Sequence, residues 1–265
     1  MVNQLTSDSL NTNVDININI LGTPENVILI LSPCRSGSSA LLNAFAMAGF
    51  TSTFQPLKAS IRRSVLGDKT PVDIEINSST LVIKETLGPY FPEEVHYNPL
   101  KTLTDKFNVK NLALITLLRN PDDCYNSWEK SFGNKSGYSF STDLFNQAYQ
   151  VVLAAYLEAR AANIPASAIK SEDIGNRDIL AKALRGVNTA FHEEMINWER
   201  SSRHAPNMYG FQKPVEPEAF KVSGILDGVK NGTGLTQSHT AVNSERHEIA
   251  TAKAAYATFL NHCIL

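Results

Sequence analysis

Val27-Ile-Leu-Ile-Leu-Ser-Pro-Cys-Arg-Ser-Gly-Ser-Ser-Ala-Leu-Leu-Asn-Ala-Phe-Ala-Met-Ala-Gly49 is the stretch whose reading decides the fold. Val27 to Leu31 is an unbroken apolar run of a length suited to a buried strand. Leu41, Leu42, Phe45, Ala46 and Ala48 recur at the helical period, and Gly49 is a stop signal. The small residues between them, Ser32 to Ser39, predict a turn from strand to helix. At such a turn, backbone N–H groups point outward at a helix N-terminus, where the helix dipole also favours an anion. The expectation is a phosphate cradle. The ATP-type cradle reads G-x-x-x-x-G-K-[ST]; laid on Ser32 to Ser39 it places Ser38 where the lysine belongs, so Arg35 is the cation of the loop. A triphosphate draws on that lysine and on a metal, so a nucleotide with a single 5′ group suits this loop better. The phosphatase pattern C-x5-R fails as well, because Ala40 stands where its arginine would be.

The rest of the chain fits a globular α/β protein. Its 265 residues are 43% hydrophobic, ample for a sizeable core. The 24 basic and 26 acidic residues set up no field for a polyanion, which argues against nucleic acid as a partner and requires any anion site to be local. Cys34, Cys124 and Cys263 are far apart, with no C-x-x-C, so reduced thiols are expected rather than disulfides or zinc. No apolar run approaches the roughly 18 residues of a membrane span, and no charged segment followed by an apolar one opens the chain. A cytoplasmic protein without a membrane partner is therefore expected. Residues 1–22 read as an N-terminal arm or an edge strand, and 23–265 as a single domain.

Further strands are predicted at Thr51 to Phe54, Leu81 to Ile83 and Leu112 to Leu118. Lys58 to Val65, with Lys58, Arg62 and Arg63, reads as an exposed helix or a mobile loop. Helices are predicted from Pro99 to Phe107, from an Asn120 cap and Pro121 to about Phe132, from Thr142 to Ala162, and from Arg177 to Leu184. Another is expected around Phe191 to Trp198, and a last one capped by Asn243-Ser244. Residues 199–240, rich in Pro, Gly, Asn and Ser, read as a lid. Strands alternating with helices imply a P-loop-type three-layer fold: a central parallel β-sheet with helices on both faces and ligands at the carboxyl ends of the strands. Three apolar runs lead into a cation at that edge, namely Arg35, Lys84 and Arg119.

Two patches together resemble the sulfotransferases that use 3′-phosphoadenosine 5′-phosphosulfate (PAPS), in particular their bacterial branch. Pro33-Cys34-Arg35-Ser36-Gly37-Ser38-Ser39 is similar to that family's 5′-phosphosulfate loop. Leu118-Arg119-Asn-Pro-Asp-Asp-Cys-Tyr-Asn-Ser127 is similar to its second signature, in which a strand-end arginine and a serine eight residues later hold the 3′-phosphate. Weaker likenesses are Lys84-Glu85, Ser171-Glu172-Asp173-Ile174, Trp198 and the turn Asn231-Gly-Thr-Gly234. The resemblance implies transfer of a sulfuryl group from PAPS to a hydroxyl or amine of a small-molecule acceptor, with release of 3′-phosphoadenosine 5′-phosphate (PAP). By the same resemblance Cys34, Arg35, Ser36, Gly37, Ser38, Ser39, Arg119, Ser127, Lys230, Asn231 and Gly232 bind the cofactor, and no metal is required. The chain departs from the cytosolic branch at Lys84-Glu85-Thr86, where that branch has K-T-H and its histidine base.

Sulfuryl transfer resembles phosphoryl transfer: attack is in line, and charge builds on the leaving phosphate. Arg35 and Lys84 are expected to hold that charge, and Glu85 to deprotonate the acceptor if the chain turns at Gly88-Pro89. Asp68, Lys69, His204 and His239 are reserves, Lys69 because Lys69-Thr70-Pro71 resembles a K-T-P step in glycan sulfotransferases. His96, His192, His247 and His262 read as solvated or capping residues. Aromatics such as Tyr90, Tyr97, Trp128, Phe132 and Tyr138 read as core sooner than as acceptor pocket. The competing classes are an ATP-type kinase, against which Ser38 weighs, and a non-catalytic nucleotide-binding protein, against which Lys84-Glu85 weighs.

Overall fold

A computed structural model of the chain describes residues 15–76, 78–106, 111–133, 140–198, 208–209, 234–235 and 246–264. The predicted centre of the fold is present. Asn26–Pro33 forms strand β2, the loop Cys34 to Gly37 follows, and Ser38–Met47 forms helix α1. Around β2 the described strands pair only in parallel, in the order β7 (Ala166–Lys170), β6 (Asn111–Leu118), β2, β5 (Thr80–Leu87), β3 (Thr51–Phe54) and β8 (Met208–Tyr209). A second sheet pairs β1 (Ile18–Leu21) with β4 (Val72–Glu75), also in parallel. Ile18–Leu21 is thus a strand of this separate pair and not of the central sheet, while residues 1–14 lie outside the described residues.

Successive strand residues point to opposite faces, and in β2 both faces are buried. Val27, Leu29 and Leu31 join one core with Leu57, Ile61, Trp128, Phe145, Val152 and Phe259, under α2 (Pro56–Val65), α4 (Pro121–Phe132), α5 (Thr142–Ala161) and α7 (Ala250–Leu260). Ile28 and Ile30 join the other with Leu41, Phe45, Leu180 and Leu184, under α1 and α6 (Arg177–Gly186). At about 1.5–3 kcal/mol for each large apolar side chain removed from water, these two cores are the main stabilising term. Helix α3 (Pro99–Lys106) adds Leu100 and Leu103 to the first.

The chain leaves β2 toward β3 on one side and later returns to β6 and β7 on the other. In open parallel sheets such a reversal marks the usual ligand position, outside the carboxyl ends of the two strands where it occurs, here β2 and β6.

Several expectations need correction. Lys58 and Arg62 are not exposed; they are 1% and 3% accessible, because Lys58 turns to Cys34 and Thr86 and Arg62 to Glu94, while β1 and β4 also pack on α2. Strand β5 does not end at Ile83 but continues through Lys84, Glu85 and Thr86 to Leu87. Around Phe191 to Trp198 there is only a 3-10 turn, Glu193–Met195, where a helix was expected. The last helix begins at Ala250, after a 3-10 turn at His247–Ile249, and its proposed cap at Asn243-Ser244 lies outside the described residues. Of the expected lid, only 208–209 and 234–235 are described, and Gly234 bridges to Asn197.

Candidate active site

The loop after β2 is shaped by backbone conformation. Gly37, at the N-cap of α1, has φ 78°, and Arg35 has φ 69°. A left-handed non-glycine residue is uncommon and costs energy, so its surroundings must hold it there. They do so through the loop's carbonyls. Trp128 Nε1 donates to Cys34 O at 2.6 Å and Cys124 Sγ donates to the same oxygen at 3.2 Å. Arg119 Nη1 reaches Arg35 O at 3.5 Å, and Ser171 Oγ donates to Ser36 O. With the carbonyls turned inward, the N–H groups of Arg35 to Ser39 find no acceptor among the described residues. Bare donors at the start of a ten-residue helix fit the chemistry of an anionic group.

The second patch meets this loop directly. Arg119 follows β6, and Asn120 caps α4 by accepting from Asp122 N at 3.0 Å. Ser127, two turns along α4, accepts a hydrogen bond from Arg35 Nε at 3.0 Å. Burial lowers the pKa of Arg35 from its ordinary value, and the positive charge of Arg119 nearby pulls the same way. An anion between the two guanidiniums would relieve both. Ser171 and Glu172 brace the arrangement, since Glu172 Oε1 accepts from Asn120 N at 3.2 Å. Ser32 Oγ donates to Ser38 Oγ at 2.9 Å, and Ser36 is 0% accessible. The side chains of these two loop serines thus face inward, and Gly37 lies exposed.

Comparison with solved structures decides the architecture. A sulfotransferase domain from the curacin biosynthetic pathway superposes with a TM-score of 0.52 over 92% of this chain and 100% of that one, at 16% identity. The chain has the sulfotransferase fold. The sulfotransferase domain of the Synechococcus PCC 7002 olefin synthase matches at a TM-score of 0.45 and 14% identity, over 89% of this chain and 95% of that one. No family model matches the chain, and no curated protein matches it.

Within the sulfotransferase fold, the third expected cation, Lys84, lies buried on the strand itself and is linked to the loop through Gln55, Thr86 and Cys34. Its Nζ donates to Gln55 Oε1 at 2.9 Å and sits 4.0 Å from the centre of the Phe54 ring. Glu85 points to the opposite face of β5. It is 0% accessible, with Oε1 accepting from Leu57 N at 2.7 Å and Oε2 from Lys58 N at 3.2 Å and Tyr97 Oη at 3.1 Å. A base must reach the acceptor's proton, and both oxygens of this carboxylate are committed inside the protein. The expectation of Glu85 as base is corrected to that of a helix anchor.

Asp68 and Lys69 are also displaced. They lie in the exposed turn after α2, where Asp68 Oδ1 accepts from Thr70 N at 2.8 Å and Lys69 O accepts from Asn17 Nδ2 at 2.8 Å. The ten-residue α2, about 15 Å long, separates this turn from the loop. His204, His239, Lys230, Asn231 and Gly232 fall outside the described residues, as does Tyr138. Tyr97, Trp128 and Phe132 are core.

Sequence reasoning missed Lys58, whose Nζ lies 3.0 Å from Cys34 Sγ and 3.2 Å from Thr86 Oγ1. The available signal was its place just after Gln55-Pro56, at a helix start on the carboxyl edge. A cavity bounded by Asn26, Thr80, Asn111, Pro165 and Asn188 opens at the opposite, amino edge, and its lining carries no titratable side chain.

Proposed function

We propose that the protein is a sulfotransferase that moves the sulfuryl group of PAPS to a hydroxyl or amine of a small molecule and releases PAP. The observation that carries this reading is the meeting of two patches far apart in sequence. The lysine-free loop with its bare N–H groups and the Arg119–Ser127 pair come together through the Arg35–Ser127 hydrogen bond. The sulfotransferase fold of the neighbour from the curacin pathway supports it.

Arg35 and the N–H groups of Ser36 to Ser39 would hold the 5′ group of the nucleotide; Arg119 and Ser127 would hold its 3′-phosphate. PAPS supplies the activated sulfuryl group. Lys84 sits on β5 next to the loop to bear charge that builds as the phosphate leaves, and an aimed donor of this kind contributes roughly 3 kcal/mol.

In thermal-shift screening PAP should raise the midpoint, whereas ATP and GTP should not, with or without magnesium. By calorimetric titration Arg119→Ala should weaken PAP about tenfold or more, the scale of a lost charge-assisted hydrogen bond. The same variant should leave adenosine 5′-phosphosulfate, which has no 3′-phosphate, nearly unchanged. Equal losses for the two nucleotides would remove Arg119 from the 3′ site, and stabilisation by magnesium with ATP alone would replace the proposed reaction with phosphoryl transfer.

A further inference from the structure

Helix α2 starts in an unusual way. Its N-cap residue, Gln55, has φ 51° and makes no side-chain bond to the helix. The Gln55 side chain turns instead to β5, where Oε1 accepts from Lys84 Nζ and from Thr86 Oγ1. The first N–H groups of a helix must then find other acceptors. For Leu57 and Lys58 that acceptor is Glu85, one carboxylate oxygen to each. An external carboxyl group thereby fixes the rotation of the first helical turn.

What this turn carries is Lys58. The side chain is 1% accessible; its hydrogen bonds go to Cys34 Sγ and the Thr86 hydroxyl, and the buried carboxyls of Glu85 and Glu94 feel its charge without bonding to the ammonium. Cys34 is the first residue of the loop, and Cys34 Sγ lies 3.2 Å from Thr86 Oγ1. Through Thr86 and Gln55 the Lys58 ammonium connects with that of Lys84. Two buried lysines from different elements therefore share one hydrogen-bonded chain, through Thr86 and Gln55, beside Cys34 at the start of the anion loop. A buried ammonium without a carboxylate among its direct hydrogen-bond partners gains a charge-assisted bond when an oxyanion comes within reach.

We propose that Lys58 is a second cation of the transfer site, contacting the sulfuryl end of the donor, and that Glu85 is the positioning residue that aims it. This rests on the sulfotransferase reading above. It assigns the two lysines separate tasks: Lys84 acts on the leaving phosphate, and Lys58 acts on the group in flight.

The test compares PAPS with PAP by competitive calorimetry on the full chain, because only PAPS carries the sulfuryl group. Lys58→Met keeps the length of the side chain and removes its charge. It should cost PAPS about tenfold or more in affinity while changing PAP less than about threefold. Glu85→Gln keeps the ammonium but sets an amide donor against one of the two helix N–H groups. It should lower the ratio of PAPS to PAP affinity in the same direction by at least about threefold. Should Lys58→Met fail to fold, Glu85→Gln alone carries the decision. A wild-type ratio in Glu85→Gln, or equal losses of the two nucleotides in Lys58→Met, would overturn the assignment. A wild-type protein that binds neither nucleotide would overturn the underlying reading instead.

Discussion

Glu94→Ala should destabilise the protein by about 3–5 kcal/mol, the cost of removing one partner of a buried ion pair. Glu94 is 0% accessible, and its Oε1 lies 2.5 Å from Arg62 Nε. Its Oε2 accepts from Tyr90 N at 3.0 Å, and the Arg62 guanidinium lies 5.7 Å from the centre of the Tyr90 ring. Burial alone would raise the pKa of Glu94, but the charges of Arg62 and Lys58 outweigh it and hold the carboxyl below its ordinary range. The alanine variant strips Arg62 of that carboxylate. At 2–4 °C per kcal/mol for a chain of this size, the melting midpoint should fall by roughly 10 °C. Replacing the pair by Arg62→Met with Glu94→Leu should recover most of the loss, because an apolar pair of similar volume avoids burying charge at all. Calorimetric melting of the three proteins decides it. A single variant within about 1 kcal/mol of wild type would mean that the pair is not holding α2.

The second large effect is a pH dependence owed to Glu85. Burial raises its pKa to about 7 from 4.5, against the pull of the Leu57 and Lys58 N–H groups and the Tyr97 hydroxyl. The folded state therefore holds the proton more tightly than the unfolded chain. This contribution to stability is fully present below pH 4.5 and is lost as pH rises to about 7. A shift of this size corresponds to about 3 kcal/mol. Glu85→Gln does not titrate, so its stability relative to wild type should improve by about that amount between pH 4.5 and pH 8, whatever constant cost the amide brings. Urea unfolding across this range measures it, and the difference isolates Glu85 from Glu94, whose lowered pKa acts in the opposite direction. A difference that stays flat with pH would show that the carboxyl is not desolvated as described.

The parts of this site that could be read in the sequence are those whose chemistry is local. Small residues between an apolar run and a helical pattern specify the loop from Cys34 to Gly37, and Asn120-Pro121 announces α4 as well as fixing its start. What could not be read depends on partners distant in sequence. Lys58 and Arg62 make α2 look solvent-facing, yet β1, β4 and the residues around Glu94 enclose it, so an amphipathic pattern became a buried one. Lys84, Glu85 and Thr86 ended the apparent apolar run of β5, although each is accommodated in the strand by a partner from another element. Strand β7, Ala166-Ser-Ala-Ile-Lys170, has only Ile169 as a strong strand former, and its place next to β6 decides its conformation. The short strand β4 shows only Val72 and Ile74 as its alternating signal, just after Pro71.

Trp128 gives the protein an optical reporter at the loop that follows β2. The indole is 0% accessible, donates to the Cys34 carbonyl at 2.6 Å, and packs so closely on Gly88 that a Cβ there would overlap the ring. The neighbouring residue, Ser127, accepts from Arg35. The chain has two tryptophans, and the other, Trp198, belongs to the opposite core, with its Nε1 donating to Met195 O at 3.1 Å. With Trp198→Phe in place, every tryptophan photon comes from a ring hydrogen-bonded to the first residue of the loop. Occupation of the loop by PAP should therefore shift the emission maximum or intensity of that single fluorophore, and the same cuvette that records unfolding records binding. A spectrum that PAP leaves untouched, at a concentration where calorimetry shows saturation, would mean that the loop's carbonyl side is rigid and that ligands are taken up by its N–H side alone.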